Sequence, residues 1–331
     1  VFLKRYKRTL IEMSNNELVN FCKELKGKIL TYCSSEGSLN NGNVVIQNGD
    51  VGSFWETLDG LCLKMGHECN KVSLILQEQS NLEHSSYRSA LQTLDSTVTA
   101  FYNHTLGINS LGGMILKEHI KSVGMQISSA LIGWIDSLIH NLSNGSQEYL
   151  IAVGKVWEAV EAIKMCPRSN KDSILILINK EYPLICDALD EVIEDMNTYE
   201  ENSEEIPTQN ILNAMINFIK TGKSLLKKIK IAVTNCEALN NVKMVDDLGS
   251  CIRRMSSEID DMIVDVGPPL DKPEIQKKVD SFKSTLVSLL FLAKTGEFTT
   301  EDDIHWIEFL TKAANHNYNK VVNILKEFDN P

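Results

Sequence analysis

Four residues of the types that bind zinc lie close together early in the chain: Cys62, His67, Glu68 and Cys69. A structural zinc site needs its ligands within about 2.3 Å of one ion. Cys62 and Cys69 would share one face of a helix, but the helical rise separates them by about 10 Å. The spacing therefore favours two core cysteines beside an exposed histidine, and we expect neither a metal site nor a cofactor.

Paired aspartates could carry acid–base chemistry, and they occur at Asp246-Asp247 and at Asp260-Asp261, with Asp265 following. Adjacent positions of a helix point in different directions, so neither pair forms a carboxylate dyad by itself. A solvated acidic face explains the pairs, and a partner-binding patch of Asp260, Asp261 and Asp265 is the alternative. The chain also lacks the H-E-x-x-H motif, the G-x-S-x-G motif and a phosphate-binding glycine loop, so we expect no enzyme.

A basic segment, KSLLKKIK, begins at Lys223. Helical geometry places Lys223, Lys227 and Lys230 on a single face. That face either stays in water or meets an acidic partner surface. No aromatic residue interrupts the lysines, which disfavours binding of single-stranded nucleic acid.

The stretch VWEAVEAIKMCPRSNKDSILILI, residues 156–178, consists of two apolar segments joined by a turn that contains charged residues. Pro167 ends the first helix, and Ser169 or Asn170 is suited to cap the next. Arg168 and Lys171 remain for a salt bridge or a partner. The turn chemistry explains nearly every position, so Pro167, Arg168, Asn170 and Lys171 are interpreted as a structural hinge rather than a chemical site.

Apolar residues recur every three or four positions along nearly the whole chain, which is typical of amphipathic helices. One such ladder consists of Val245, Leu248, Ile252, Met255, Ile259 and Met262. Glycine and proline are scarce, at 18 and 7 of 331 residues, which disfavours a β-rich chain. Ser173–Ile178 (SILILI) could be a buried strand, but no alternating partner is present, so we interpret it as helix. Long helices with short joints predict an all-α fold of two up-and-down helical bundles.

Net charge and cysteine content restrict the partners and the compartment. The formal net charge is −11 and the pI is near 5.2, so a nucleic-acid surface is disfavoured. The eight cysteines contain no C-x-x-C pair and are interpreted as reduced, mostly buried residues. No apolar run is long enough to predict a membrane span.

Composition also suggests domain boundaries. The acidic stretch Asn197–Asn210 has no apolar period and is the best linker candidate. We therefore expect an N-terminal bundle over residues 14–200 and a C-terminal bundle over residues 206–330. The basic segment before Met13 suggests that Met13 is the native start, with residues 1–13 non-native or disordered.

Several separated segments resemble the cyclin-D-binding protein family, also called the Grap- and cyclin-D-interacting proteins. The first is the 156–178 stretch, in which a Val-Trp helix leads to Pro-Arg-x-Asn-Lys and then to an apolar helix. The second is KSLLKKIKIAV at residues 223–233. The third is DDLGSCIRRMSSEIDDMIVDVGPPLD at residues 246–271, an acid-rich helix that closes in Pro-Pro. The resemblance follows the helix order from about Ser14 to Phe328.

The resemblance implies an all-helical, non-enzymatic protein whose bundles are similar to those of talin and α-catenin. It implies binding of D-type cyclins and helix-loop-helix transcription factors, and negative regulation of cell-cycle progression and transcription. It also implies a cytoplasmic and nuclear location. A talin- or vinculin-like cytoskeletal or adhesion scaffold is the alternative, because fold does not fix function. Lys223, Lys227, Lys230, Asp260, Asp261 and Asp265 are the residues expected to bind a partner.

Overall fold

The computed structural model describes residues 2–34, 51–77, 84–110, 112–144, 148–198, 206–264 and 271–327, and across these ranges it contains α- and 3₁₀-helices but no β-strand. The predicted all-α fold is therefore confirmed. The α-helices are α1 (Phe2–Ser34), α2 (Val51–Gln77), α3 (His84–Thr105), α4 (Met114–Asn144), α5 (Tyr149–Glu161), α6 (Asn170–Thr198), α7 (Ile206–Asn235), α8 (Val242–Val264), α9 (Lys272–Thr295) and α10 (Ile304–Glu327).

The apolar ladders form the cores, as α8 shows. All six residues of its predicted ladder, at positions 245, 248, 252, 255, 259 and 262, are buried. Spacings of three and four residues keep these side chains on one stripe of the helix, and burial of that stripe stabilises it. Ser173–Ile178 is helical as predicted, with Ile174, Leu177 and Ile178 in the core.

The joints around α9 and α10 follow from local polar groups. At the start of α9, the Glu274 N–H donates to the Asp271 side chain at 3.2 Å, which satisfies one free donor of the first turn. At its end, the Gly296 N–H donates to the Leu292 carbonyl oxygen at 2.7 Å. Before α10, the Thr300 N–H donates to the Asp303 carboxylate at 2.9 Å. These caps fix where the two helices start and stop.

The chain divides into two compact units, but not at the predicted linker. The first unit comprises Val1–Gly112 and Leu116–Arg168, and the second comprises Gly113–Ile115 and Ser169–Pro331. The expected ranges of 14–200 and 206–330 therefore place α6 in a different unit from the one the structure gives. The apolar face of α6 packs against α7 and α8, so α6 belongs with the helices that follow the acidic stretch. The acidic stretch 197–210 interrupts the apolar pattern but does not separate the two units. Residues 199–205 of that stretch lie outside the described residues.

In the first unit, α2 is the central helix. It packs against α3 and α5, and α1 packs against α3. Helix α4 contributes Ile127, Trp134 and Leu138 to the same core, and the Trp134 Nε1–H donates to the Ser73 hydroxyl at 3.1 Å. Helix α1 begins at Phe2, and the expectation that residues 1–13 are non-native or disordered stays a prediction. This segment contains no glycine or proline to stop a helix.

In the second unit, five helices form a closed ring of neighbours. Helix α6 packs on α7, α7 on α10, α10 on α9, α9 on α8, and α8 on α6. Each helix directs its apolar stripe to the shared core, which includes Phe218 and Phe282, whose rings meet edge to face at 5.0 Å. The outer faces of these helices are the surfaces on which partner binding can take place.

Candidate partner-binding surfaces

Arg168, at the turn after α5, is held by α2 within the first unit. Its guanidinium lies 4.6 Å from the centre of the Trp55 ring and 3.0 Å from the Asp59 carboxylate. The Trp55 Nε1–H in turn donates to the Arg168 carbonyl oxygen at 2.9 Å. Trp55 and Asp59 are one helical turn apart on α2, so they present an aromatic ring and a carboxylate on the same side. Arg168 is therefore committed to an intramolecular contact.

Asn170 and Lys171, directly after this turn, are held within the second unit. The Asn170 amide accepts from the Gly113 N–H at 2.8 Å and donates to the Leu239 carbonyl oxygen at 3.1 Å. Lys171 donates to the Cys236 carbonyl oxygen at 2.6 Å. These side chains satisfy backbone groups that secondary structure leaves free. With Pro167, they have structural roles, and their use as a hinge stays a prediction.

The α7 lysines do not share one environment. Lys223 is half-buried against α6, with its ammonium 6.0 Å from the centre of the Tyr182 ring. Hydrogen bonding to Cys186 raises the pKa of Lys223, aided by nearby Tyr182 and Asp190. Lys227 is exposed and Lys230 is half-buried. Lys227 and Lys230 are therefore the part of this face that is best placed to meet a partner.

The acidic patch is described at two of its three predicted positions. Asp260 and Asp261 are both exposed on α8. Partial burial, and then the neighbouring Asp261 carboxylate, raises the pKa of Asp260. Asp265 lies outside the described residues. The described pair forms a solvent-facing acidic edge rather than an enclosed acid–base site.

A groove that the sequence did not predict lies between α9 and α10 in the second unit. Its volume is about 620 Å³. Leu290 and Ile307 form a buried floor, and Val287, Phe291 and Ile304 stand exposed at its sides. Its rim carries three lysines, Lys283, Lys294 and Lys312, and one glutamate, Glu308. Val287 and Phe291 of α9 and Ile304 of α10 lie outside the buried stripes of their helices, so a search for core-facing ladders passes over them.

Of the four residues considered for zinc, the two cysteines lie in the core, His67 is exposed and Glu68 is half-buried. Cys62 and Cys69 are buried, and the His67 ring packs edge to face on Trp157 at 5.1 Å. Glu68 lies 3.9 Å from the Lys71 ammonium. In the ranges that the structure describes, no three histidine, cysteine, aspartate or glutamate side chains are grouped to hold a metal ion.

One segment has the length and composition to cross a bilayer, which differs from the expectation of no such run. It is Met114–Leu142, nearly the whole of α4. Ile127, Trp134 and Leu138 within it are fully buried against the rest of the first unit. These three residues belong to the core of the first unit, whereas only 33% of the most apolar 18-residue window of this segment is buried.

Comparison with known proteins identifies similar chains. The model of the family described as Grap2 and cyclin-D-interacting, N-terminal, matches residues 63–201, which run from within α2 to just beyond the end of α6. This range includes the 156–178 stretch that carries the first motif of the resemblance.

Relatives extend the similarity to most of the chain. The Cyclin-D1-binding protein 1 homolog of Danio rerio is 21% identical over 300 residues, covering 83% of this chain and 87% of that protein. The homolog of Xenopus laevis is 20% identical and covers 82% and 88%. Cyclin-D1-binding protein 1 of Homo sapiens is 18% identical and covers 81% and 83%. The resemblance to the cyclin-D-binding protein family is thus confirmed, at low identity.

Proposed function

We propose that this protein, a diverged relative of the cyclin-D-binding proteins, is a non-enzymatic adaptor that binds a D-type cyclin. The observation that carries the proposal is the extent of similarity to proteins named for cyclin D1 binding, which covers about four fifths of this chain. Through such binding the protein would regulate cell-cycle progression and transcription in cytoplasm and nucleus. Helix-loop-helix proteins are proposed as further partners on the family resemblance.

Two buried thiols, those of Cys62 and Cys166, are unsuited to act as nucleophiles. A cysteine nucleophile needs a lowered pKa and solvent access. Burial instead raises the pKa of the Cys62 thiol to about 12, and that of the Cys166 thiol to about 11. Such thiols stay protonated at neutral pH and act as small apolar core residues.

The outer face of α7 is proposed as one contact surface for the cyclin. Lys227 and Lys230 project from a helix whose opposite face is fully packed, so a partner can cover them without unfolding the unit. Lys223 contributes less, since its ammonium already contacts Tyr182 and Cys186. Asp260 and Asp261 on α8 form a separate edge for basic groups of a partner. The mechanism is occupancy, in which a helical surface covers part of the partner.

The proposal is tested by co-elution of the purified chain with a purified D-type cyclin in size-exclusion chromatography. We expect a stable complex with the D-type cyclin and none with a cyclin of another class. The variant K227E/K230E is compared with K180E/K243E, which changes the net charge equally at exposed lysines of α6 and α8. We expect the first variant to weaken the complex by about tenfold and the second to leave it unchanged. Absence of a complex with the wild-type chain rejects the cyclin-binding role.

A further inference from the structure

The α9–α10 groove joins an apolar floor to exposed apolar walls. Phe291 is 64% exposed, Val287 49% and Ile304 47%. Single exposed apolar residues are ordinary on protein surfaces, but a contiguous set along one groove marks an interaction site. Leu290 and Ile307 line the same groove and are buried, so they continue its apolar surface inward. The groove volume of about 620 Å³ is sufficient for several such side chains.

The rim of the groove is basic although the chain is acidic overall. Lys283, Lys294 and Lys312 face a single carboxylate, that of Glu308, on a chain with a formal net charge of −11. Among the described residues, no carboxylate lies within ion-pair distance of any of these three lysines. Lys283 contacts the Asn315 side chain and lies 5.5 Å from the Tyr318 ring centre. Partial burial lowers the pKa of Lys283, so its charge has lost hydration without gaining a counter-charge.

We propose that the α9–α10 groove binds an amphipathic helix of a partner protein, with acidic residues beside its apolar face. A groove between two packed helices accepts a third helix through anchors at i, i+3 or i+4, and i+7. Apolar anchors of the partner would cover Val287, Phe291 and Ile304. Carboxylates flanking those anchors would pair with the three lysines, which favours acidic helices over basic ones. This site is distinct from the α7 surface and does not depend on cyclin binding.

The test uses the full chain and two fluorescein-labelled helical peptides of about 18 residues, a length of about 27 Å when helical. Both carry leucines at i, i+4, i+7 and i+11, and they differ only in having glutamates or lysines beside that stripe. Fluorescence anisotropy at about 0.1 M salt measures binding, where charge pairs are not fully screened. We expect the glutamate peptide to bind saturably, and at least about tenfold more tightly than the lysine peptide.

Variants locate the binding. Phe291→Ser removes a groove side chain, and Phe309→Ser removes an equally exposed phenylalanine of α10 that does not line the groove. We expect F291S to weaken the glutamate peptide by about tenfold and F309S to leave it unchanged. K294E/K312E should exchange the preference in favour of the lysine peptide. Positions 291, 309, 294 and 312 are all exposed, so the melting curves of these variants by circular dichroism should match that of the wild type.

Three results overturn the proposal. Equal binding of the two peptides means that the rim lysines do not discriminate between acidic and basic helices. Equal loss in F291S and F309S means that the peptide binds outside the groove. Concentration-dependent dimerisation that F291S abolishes means that a second copy of the chain occupies the groove, and not a partner helix. A D-type cyclin complex that forms normally in F291S would leave the proposed cyclin binding intact, so failure of one proposal is distinguishable from failure of the other.

Discussion

The backbone N–H of Gly113 donates a buried hydrogen bond of 2.8 Å to the side-chain oxygen of Asn170, 57 positions later in the chain. The same Asn170 amide donates to the Leu239 carbonyl oxygen. A Cβ at Gly113 would lie 2.8 Å from an oxygen of the Asp246 carboxylate, so a larger residue there would require that side chain to shift. One asparagine thus satisfies two backbone groups of the second unit. From the sequence, Asn170 was a candidate only for the cap of α6, but its side chain also joins Gly113 to Leu239.

Asn170→Ala should destabilise the second unit by about 1–3 kcal/mol, because it leaves the buried Gly113 donor without a partner. Asn179→Ala on the same helix is the matched control, since Asn179 is exposed. Urea unfolding followed by circular dichroism measures both variants. Equal midpoints for the two variants would show that the Asn170 contacts contribute nothing to stability.

Gly249→Ala in α8 tests the packing of that helix against the start of α4. Alanine normally stabilises a helix interior by about 0.5–1 kcal/mol relative to glycine. Here the new Cβ would lie 2.1 Å from Ile115 Cδ1, so overpacking should prevail and destabilise the unit by about 1–3 kcal/mol.

Two controls make the Gly249 prediction specific. Ile115→Val removes the clashing Cδ1 atom, so the double variant should recover much of the loss. Gly154→Ala in α5 meets no atom within 4 Å and should be neutral or stabilising. A destabilised Gly154→Ala, or a double variant no better than Gly249→Ala, would contradict the assignment of the loss to this contact.

Arg168→Lys tests whether the guanidinium is needed over Trp55. Lysine keeps the charge but cannot stack on the ring and bind the Asp59 carboxylate in the same way. We expect a loss of about 1 kcal/mol in the first unit, and a coupling with Trp55→Phe of about 0.5–1 kcal/mol in a double-mutant cycle. Thermal unfolding of the four proteins of the cycle measures the coupling. Additive single losses would mean that the two side chains act independently.

The stability of the first unit should fall in mildly alkaline solution. Burial raises the pKa of the Cys62 thiol to about 12, whereas in the unfolded chain it titrates near its ordinary value of about 8.5. Above that value the unfolded chain binds fewer protons than the folded chain, so stability is retained below about pH 8.5 and decreases toward pH 12. Cys62→Ala should flatten this decrease by up to about 1.4 kcal/mol per pH unit. Identical slopes for wild type and variant in urea unfolding at several pH values would contradict the assignment.

The helices could be predicted from sequence because each buries one regular stripe, as Ile252, Met255 and Ile259 do. Packing partners could not, because they depend on which stripes fit together in three dimensions. For that reason the boundary was expected after α6, whose face in fact packs on α7 and α8. Trp55 is only 7% exposed because Arg168 and the core cover it, a contact that no spacing within α2 predicts.

The binding surfaces were harder to predict than the fold for the same reason. The spacing of the lysines on α7 predicts a shared face, but the Lys223 ammonium contacts Tyr182 and is therefore less available to a partner. The groove depends on Phe291 of α9 and Ile304 of α10, which are adjacent only after the two helices pack. No spacing within a single helix encodes that juxtaposition.

Calorimetric titration of the full chain with a purified D-type cyclin from the same organism is the most direct measurement. The proposed function predicts saturable binding with a Kd of roughly 10 µM or lower, weakened by added salt because charged helical surfaces take part. Titration with a cyclin of another class is the control and should give no saturable heat. Absence of binding, or equal binding of both cyclins, would contradict a D-type cyclin adaptor while leaving the helical fold unaffected.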